Sequence, residues 1–126
     1  MSRSNDAAAE RWIDEEPATH SRRLGARVAT SFSVFVTSQQ QRVRARATEL
    51  STTGVLLDLR HAEPCDIDGL LTLELVVPGL VRPVHTAARR VRTVGKLSAF
   101  EFLAISRDDR LTLAEHIDRV QRMRRA

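Results

Sequence analysis

Between residues 28 and 105 the chain is a succession of short apolar segments separated by polar or glycine-bearing breaks, with no amphipathic helical stretch between them. A chain punctuated in this way has few folds open to it. Consecutive strands at such spacing pair in the antiparallel sense, because a parallel pair needs a crossover of a dozen or more residues, usually a helix. Val28, Phe32, Val34 and Val36 fall mostly at alternate positions among Ser, Thr and Ala, which predicts a half-buried strand over 28–37. After the polar turn Ser38 to Gln41, Arg42, Arg44 and Arg46 alternate with Val43, Ala45 and Ala47, giving a hairpin partner with one charged and one small apolar face.

The rhythm continues. Glu49 to Thr53 form a polar break, Gly54 offers a positive φ, and Val55 to Leu59 resume a strand. A loop over 60–69 follows. Leu70 to Val77 and Arg82 to Val94 read as strands joined at Pro78-Gly79, and Leu97 to Ile105 follows Gly95. Six strands without intervening helices predict an antiparallel barrel or sandwich. The pattern then changes period: Leu113, Ala114, Ile117 and Val120 recur at helical spacing, Ser106 stands at a cap position and Asp109 three residues later, so a helix over 107–124 is expected to close one side of the barrel.

At 126 residues the chain suits one domain, since halving it would leave two cores too small to be stable. Residues 1–20 mix small, acidic and polar types with only Trp12 and Ile13 as large apolar groups, and are read as a flexible arm ahead of a domain over 21–126. No apolar run approaches the ~20 residues of a membrane span, and the polar start carries no signal-peptide core, so a cytoplasmic location is expected. Cys65 is the only cysteine, which leaves no internal disulfide and no zinc spacing. The formal charge of +4 favours an anionic partner. All but one of the 20 basic residues are arginine, so arginine motifs are common by chance.

Two segments gather polar chemistry. Arg22-Arg23-Leu24-Gly25-Ala26-Arg27 brings three guanidinium groups into the lead-in to the first strand, with Arg23 and Arg27 at RxxxR spacing. About two or three such spacings arise by chance in this composition, Arg42 and Arg46 being another. Glu49-Leu50-Ser51-Thr52-Thr53-Gly54 places a carboxylate, a hydroxyl and a glycine on one turn, a set that an ordinary turn also uses.

Together, RRxxxR before the first strand and acid-x-Ser-x-x-Gly after the second resemble the PilZ family of cyclic di-GMP receptors. Val91-Arg92, Gly95, the six-strand rhythm and the trailing helix extend the resemblance over about residues 20–122. It implies a mainly β fold, a six-stranded antiparallel PilZ-like barrel with a C-terminal helix, and cyclic di-GMP as ligand with no cofactor. It also implies that Arg22, Arg23 and Arg27 clamp the dinucleotide, that Glu49 and Ser51 hydrogen-bond a guanine, and that Gly54 frees the backbone beside it. The physical logic holds for such a ligand, because a planar guanidinium bonds phosphate oxygens or the O6/N7 edge of guanine bidentately. Members of the family act on partner proteins of motility, pilus or polysaccharide systems, and the same implication attaches here. One position departs from the pattern: Glu49 stands where the family places Asp or Asn, so a degenerate module that binds protein and no nucleotide is the alternative.

Other classes have less support. His20, His61, His85 and His116 are scattered over a tail, a loop, a strand and a helix, and no nucleophile elbow or metal spacing accompanies them, so no catalytic residue and no enzyme activity are expected. Arg42, Arg44 and Arg46 on one strand and Arg89, Arg90 and Arg92 on another offer a basic surface. Nucleic acid is nevertheless not the expected partner, because four phenylalanines and Trp12 supply few stacking platforms.

Overall fold

The computed structural model describes residues 26–39, 41–59 and 67–125. The expected arm over 1–20, and Arg22 and Arg23, lie outside these residues. Six strands and one helix follow in order: β1 (Val28–Thr37), β2 (Arg42–Leu50), β3 (Gly54–Asp58), β4 (Leu71–Leu75), β5 (Val84–Val94), β6 (Leu97–Phe102) and α1 (Arg107–Arg125). The strands form a closed barrel in the order β1-β2-β3-β6-β5-β4, with every pairing antiparallel. Closure comes from β1, which pairs β2 along one edge and β4 along the other, with Val34 opposite Leu75 and Val36 opposite Leu73. The barrel is therefore the form realised, and the sandwich is not. Among the described residues, closure leaves none of the six strands with a free edge.

Alternation sets the inside and outside. Val34, Val36, Leu57, Leu73, Leu75, Val84 and Phe100 are fully buried, while Arg42, Arg44 and Arg46 on β2 stay exposed. The predicted bounds of β1 are those observed, but β2 runs further than expected: Glu49 and Leu50 belong to the strand and not to the break. The reason is Leu50 itself, which is completely buried and lies opposite both Val28 and Val55. The expectation that Gly54 takes a positive φ is also corrected. Gly54 opens β3, paired with Glu101, and among the described residues the positive-φ glycines are Gly79 and Gly95, at the β4–β5 and β5–β6 turns. β6 ends at Phe102, short of the expected Ile105.

The helix begins where the cap signal stands. The Asp109 N–H donates to Ser106 Oγ at 3.0 Å and the Arg110 N–H to the Ser106 carbonyl at 2.9 Å, satisfying donors that the first turn would otherwise leave unpaired. Asp108 and Asp109 in that turn suit the positive end of the helix dipole. Leu113 and Ile117 bury against the barrel core and hold the helix on it. Ser106→Ala is expected to cost about 1 kcal/mol, read as a lowered urea midpoint at unchanged slope. An unchanged midpoint would show that packing alone sets the helix start.

His116, on the buried side of α1, has its pKa lowered by burial and, secondarily, by the Arg119 charge. The unfolded chain therefore binds a proton at His116 more readily than the folded protein does. Its contribution to stability is complete above the ordinary histidine value of about 6.5 and is lost as the pH falls from there through the lower folded-state value. Unfolding free energies measured between pH 7.5 and 5.5 are expected to fall less in His116→Gln than in the parent. Equal falls would assign the acid sensitivity elsewhere.

Candidate functional site

The antiparallel register of β1 and β2 brings Arg27, the described end of the first polar segment, and the Glu49–Gly54 segment to one end of the barrel. Val28 lies opposite Leu50 and Ala29 opposite Glu49, so Arg27, just before β1, and Ser51, just after β2, are the next residues along the same pair. The exit of β2 is bent by a bulge between Ala47 and Glu49, and the entry of β1 by another between Ala29 and Phe32. Bulges of this kind re-aim side chains at barrel rims. Of the six residues singled out from the sequence, Arg27, Glu49, Ser51 and Gly54 meet at this rim, and Arg22 and Arg23 fall outside the described residues.

The turn between β2 and β3 is built around Ser51. Its side chain is completely buried, and its Oγ accepts the N–H of Thr53 and of Gly54, each at 3.1 Å, and lies 3.1 Å from Thr53 Oγ1. The Ser51 N–H donates to the Gly54 carbonyl at 3.0 Å. The hydroxyl thus saturates the inside of the turn, and the serine of the motif sets the backbone that carries Glu49. Glu49 is half-buried and its carboxylate has no side-chain partner among the described residues. A half-buried carboxylate at a rim that also receives Arg27 is suited to accept from a ligand N–H, such as the Watson–Crick edge of guanine.

Sequence reading took Arg89 and Arg90 only as part of a basic surface and did not single out their acidic partners Glu101 and Asp68. Gly54 pairs with Glu101 of β6, and Glu101 Oε1 accepts from Arg89 Nη2 of β5 at 3.4 Å. Arg90 of β5 is held by Asp68, with Nη2 at 2.7 Å and Nε at 3.0 Å. The available signal was the Arg89-Arg90 doublet, but its acidic partners are 12 and 22 positions away in the chain. Among the described residues no cluster of His, Cys, Asp and Glu could hold a metal ion, and no helix is long and apolar enough to cross a membrane.

Comparison with known proteins agrees with this architecture. No curated protein matches the chain in sequence. Among solved structures, the Bacillus subtilis inhibitor of motility MotI/DgrA superposes with a TM-score of 0.70 at 18% identity, covering 79% of this chain and 51% of that one. The chain therefore spans about half the length of that protein. The PilZ domain of CeSA from a cellulose-synthesizing bacterium gives a TM-score of 0.57 at 13% identity over 75% of this chain and 97% of that one. An uncharacterized Legionella protein gives 0.51 at 13% identity over 79% and 98%. These likenesses concern the fold. The model of the PilZ domain matches residues 21–119, all six strands of the barrel and most of the helix, and the chain belongs to the PilZ domain family, whose members are regulatory binding modules.

Proposed function

We propose that this chain binds cyclic di-GMP at the β1–β2 rim and relays its occupancy to a partner protein of a motility, pilus or polysaccharide system. The observation that supports this most directly is the register that sets the Arg27 lead-in beside the Glu49-x-Ser51-x-x-Gly54 turn. A dianionic dinucleotide would take its phosphates from Arg22, Arg23 and Arg27 and one guanine from Glu49. Binding would fix the segment 21–27 across the rim and with it the arm that carries Trp12, changing the surface offered to a partner. A physical link to the helix exists there, since Arg124 Nη2 donates to the carbonyl of Ala29, the residue opposite Glu49, at 3.4 Å.

Calorimetric titration with cyclic di-GMP, with GTP as the non-cyclic control, tests the reading. Saturable binding of the cyclic dinucleotide in the micromolar range or tighter, with none of GTP, is expected. Trp12 is the only tryptophan, so its emission should shift on the same titration if the arm responds. Absence of any binding would favour the second reading, a nucleotide-free interaction module, for which Glu49 in place of Asp or Asn is the specific reason.

A further inference from the structure

The outer face of β1, β2 and β3 holds a cavity of about 520 Å³ whose polar lining is Ser31, Ser33, Arg44, Arg46 and Asp58. Small-molecule sites have volumes of roughly 300–1,000 Å³. The cavity is separate from the β1–β2 rim, since none of Arg27, Glu49, Ser51 and Gly54 lines it. Ser31 lies in the β1 bulge between Ala29 and Phe32, an irregularity of the kind that re-aims side chains out of the regular pleat.

The charges lining the cavity do not neutralise one another. Arg42, Arg44 and Arg46 recur at alternate exposed positions of β2, yet only Arg42, which lies outside the cavity, is neutralised: it bonds Glu74 at 3.1 Å and stacks 4.2 Å above the Phe35 ring. Arg44 and Arg46 have neutral partners on β1, Phe35 and Ser33. On the other side Asp58 is opposite Arg46 in register. Opposite charges so placed ordinarily attract one another. Here Arg46 turns to β1 instead, its Nη1 donating to Ser31 Oγ at 2.9 Å, and among the described residues no ion pair joins it to Asp58. That bond orients the guanidinium and leaves its Nε–Nη2 edge, like the whole of Arg44, without a partner among the described residues. The two arginines are about 6.8 Å apart along the strand, a separation across which two long side chains can converge on one phosphate.

We infer that this cavity is a second ligand site, for a small phosphate monoester that also carries a hydroxyl or N–H donor. The phosphate dianion takes the guanidinium groups of Arg44 and Arg46, which can bond it bidentately, and the Ser33 hydroxyl beside Arg46. The ligand's donor goes to Asp58, whose carboxylate offers about four lone-pair positions. Two cations against one carboxylate leave the cavity net positive and so favour an anion. Asp58 adds selection, because it repels a bare anion and accepts from an ester that brings a donor. Sugar phosphates and nucleoside monophosphates share this chemistry. The inference stands independently of cyclic di-GMP binding at the rim.

Amide NMR titration of the full chain, without cyclic dinucleotide and at constant ionic strength, tests the site with ribose 5-phosphate, AMP, inorganic phosphate and adenosine as probes. Saturable shifts centred on Ser31, Ser33 and Arg46 are expected with an ester, with a dissociation constant below about 1 mM. Shifts with ribose 5-phosphate assign a sugar-phosphate site, and shifts with AMP alone a nucleotide site. Inorganic phosphate should bind at least about tenfold more weakly and adenosine not at all, and Arg44→Gln and Arg46→Gln should each weaken the ester about tenfold. Asp58→Asn, which removes the repulsion and weakens the acceptor, should bring inorganic phosphate and ester close together. The dispersion of each spectrum shows that the variant is folded. No saturable shift with either ester, shifts centred on Ser51 and Gly54, inorganic phosphate as tight as the esters, or parent affinity in either arginine variant would overturn the proposal.

Discussion

Replacing Ser51 by alanine is expected to lower the stability of the barrel by about 1–3 kcal/mol, because the buried N–H of Gly54 loses its acceptor, at a cost of about 1–3 kcal/mol for an unsatisfied buried donor, while the N–H of exposed Thr53 can turn to water. The Thr53 and Gly54 N–H groups both point at Ser51 Oγ, and with Ser51 and Gly54 buried, water cannot reach the Gly54 N–H without opening the turn. The effect should appear as a reduced urea midpoint in the absence of any ligand. Ser51→Thr, which keeps the oxygen but adds a methyl in a filled space, should fall between parent and alanine. A hydroxyl whose only task is to touch a ligand would behave differently. Ser51→Ala would then unfold at the parent's midpoint and lose only its binding, and that result would return Ser51 to the role of a direct contact.

The alternation that makes β1 and β2 legible is local. Val34 and Val36 against Ser33 and Phe35, or Ala45 against Arg44 and Arg46, declare their faces within a few residues, and β1 was found with its predicted bounds. The Ser106 cap is likewise a matter of three residues. What could not be read depends on strands distant in sequence. Leu50 extends β2 because Val28 and Val55 lie on either side of it, and Leu50 in a polar stretch gives no sign of either neighbour. Ser51 looks like a solvent-facing motif residue until the turn closes over it. The rim is bent by two bulges, one in each strand, and a bulge leaves no mark in an alternating sequence. The site itself was legible only as two separate segments, and their adjacency is a property of the β1–β2 register.

Arg27→Ala is expected to weaken cyclic di-GMP binding about a hundredfold, while Glu49→Asp tightens it about tenfold. A guanidinium bonding a phosphate or a guanine edge bidentately contributes two charge-assisted hydrogen bonds of about 1.5–3 kcal/mol each, so removing it costs at least about 3 kcal/mol, or two decades in affinity. Arg23→Ala should behave in the same way. The opposite sign at Glu49 follows from reach. Its backbone position is held by pairing with Ala29 on one side and Leu56 on the other, so the extra methylene displaces the carboxylate by about 1.5 Å from where an aspartate would place it. A hydrogen bond does not tolerate such an error unless the side chain folds back, and shortening it recovers roughly one charge-assisted bond. Calorimetric titration of the three variants beside the parent separates the possibilities. Loss in both arginine variants with gain in Glu49→Asp supports the site as built here. Binding that appears only in Glu49→Asp would mean that the glutamate has disabled a receptor scaffold, leaving its surfaces to a protein partner. Parent-like affinity in Arg27→Ala would place the ligand away from the β1–β2 rim.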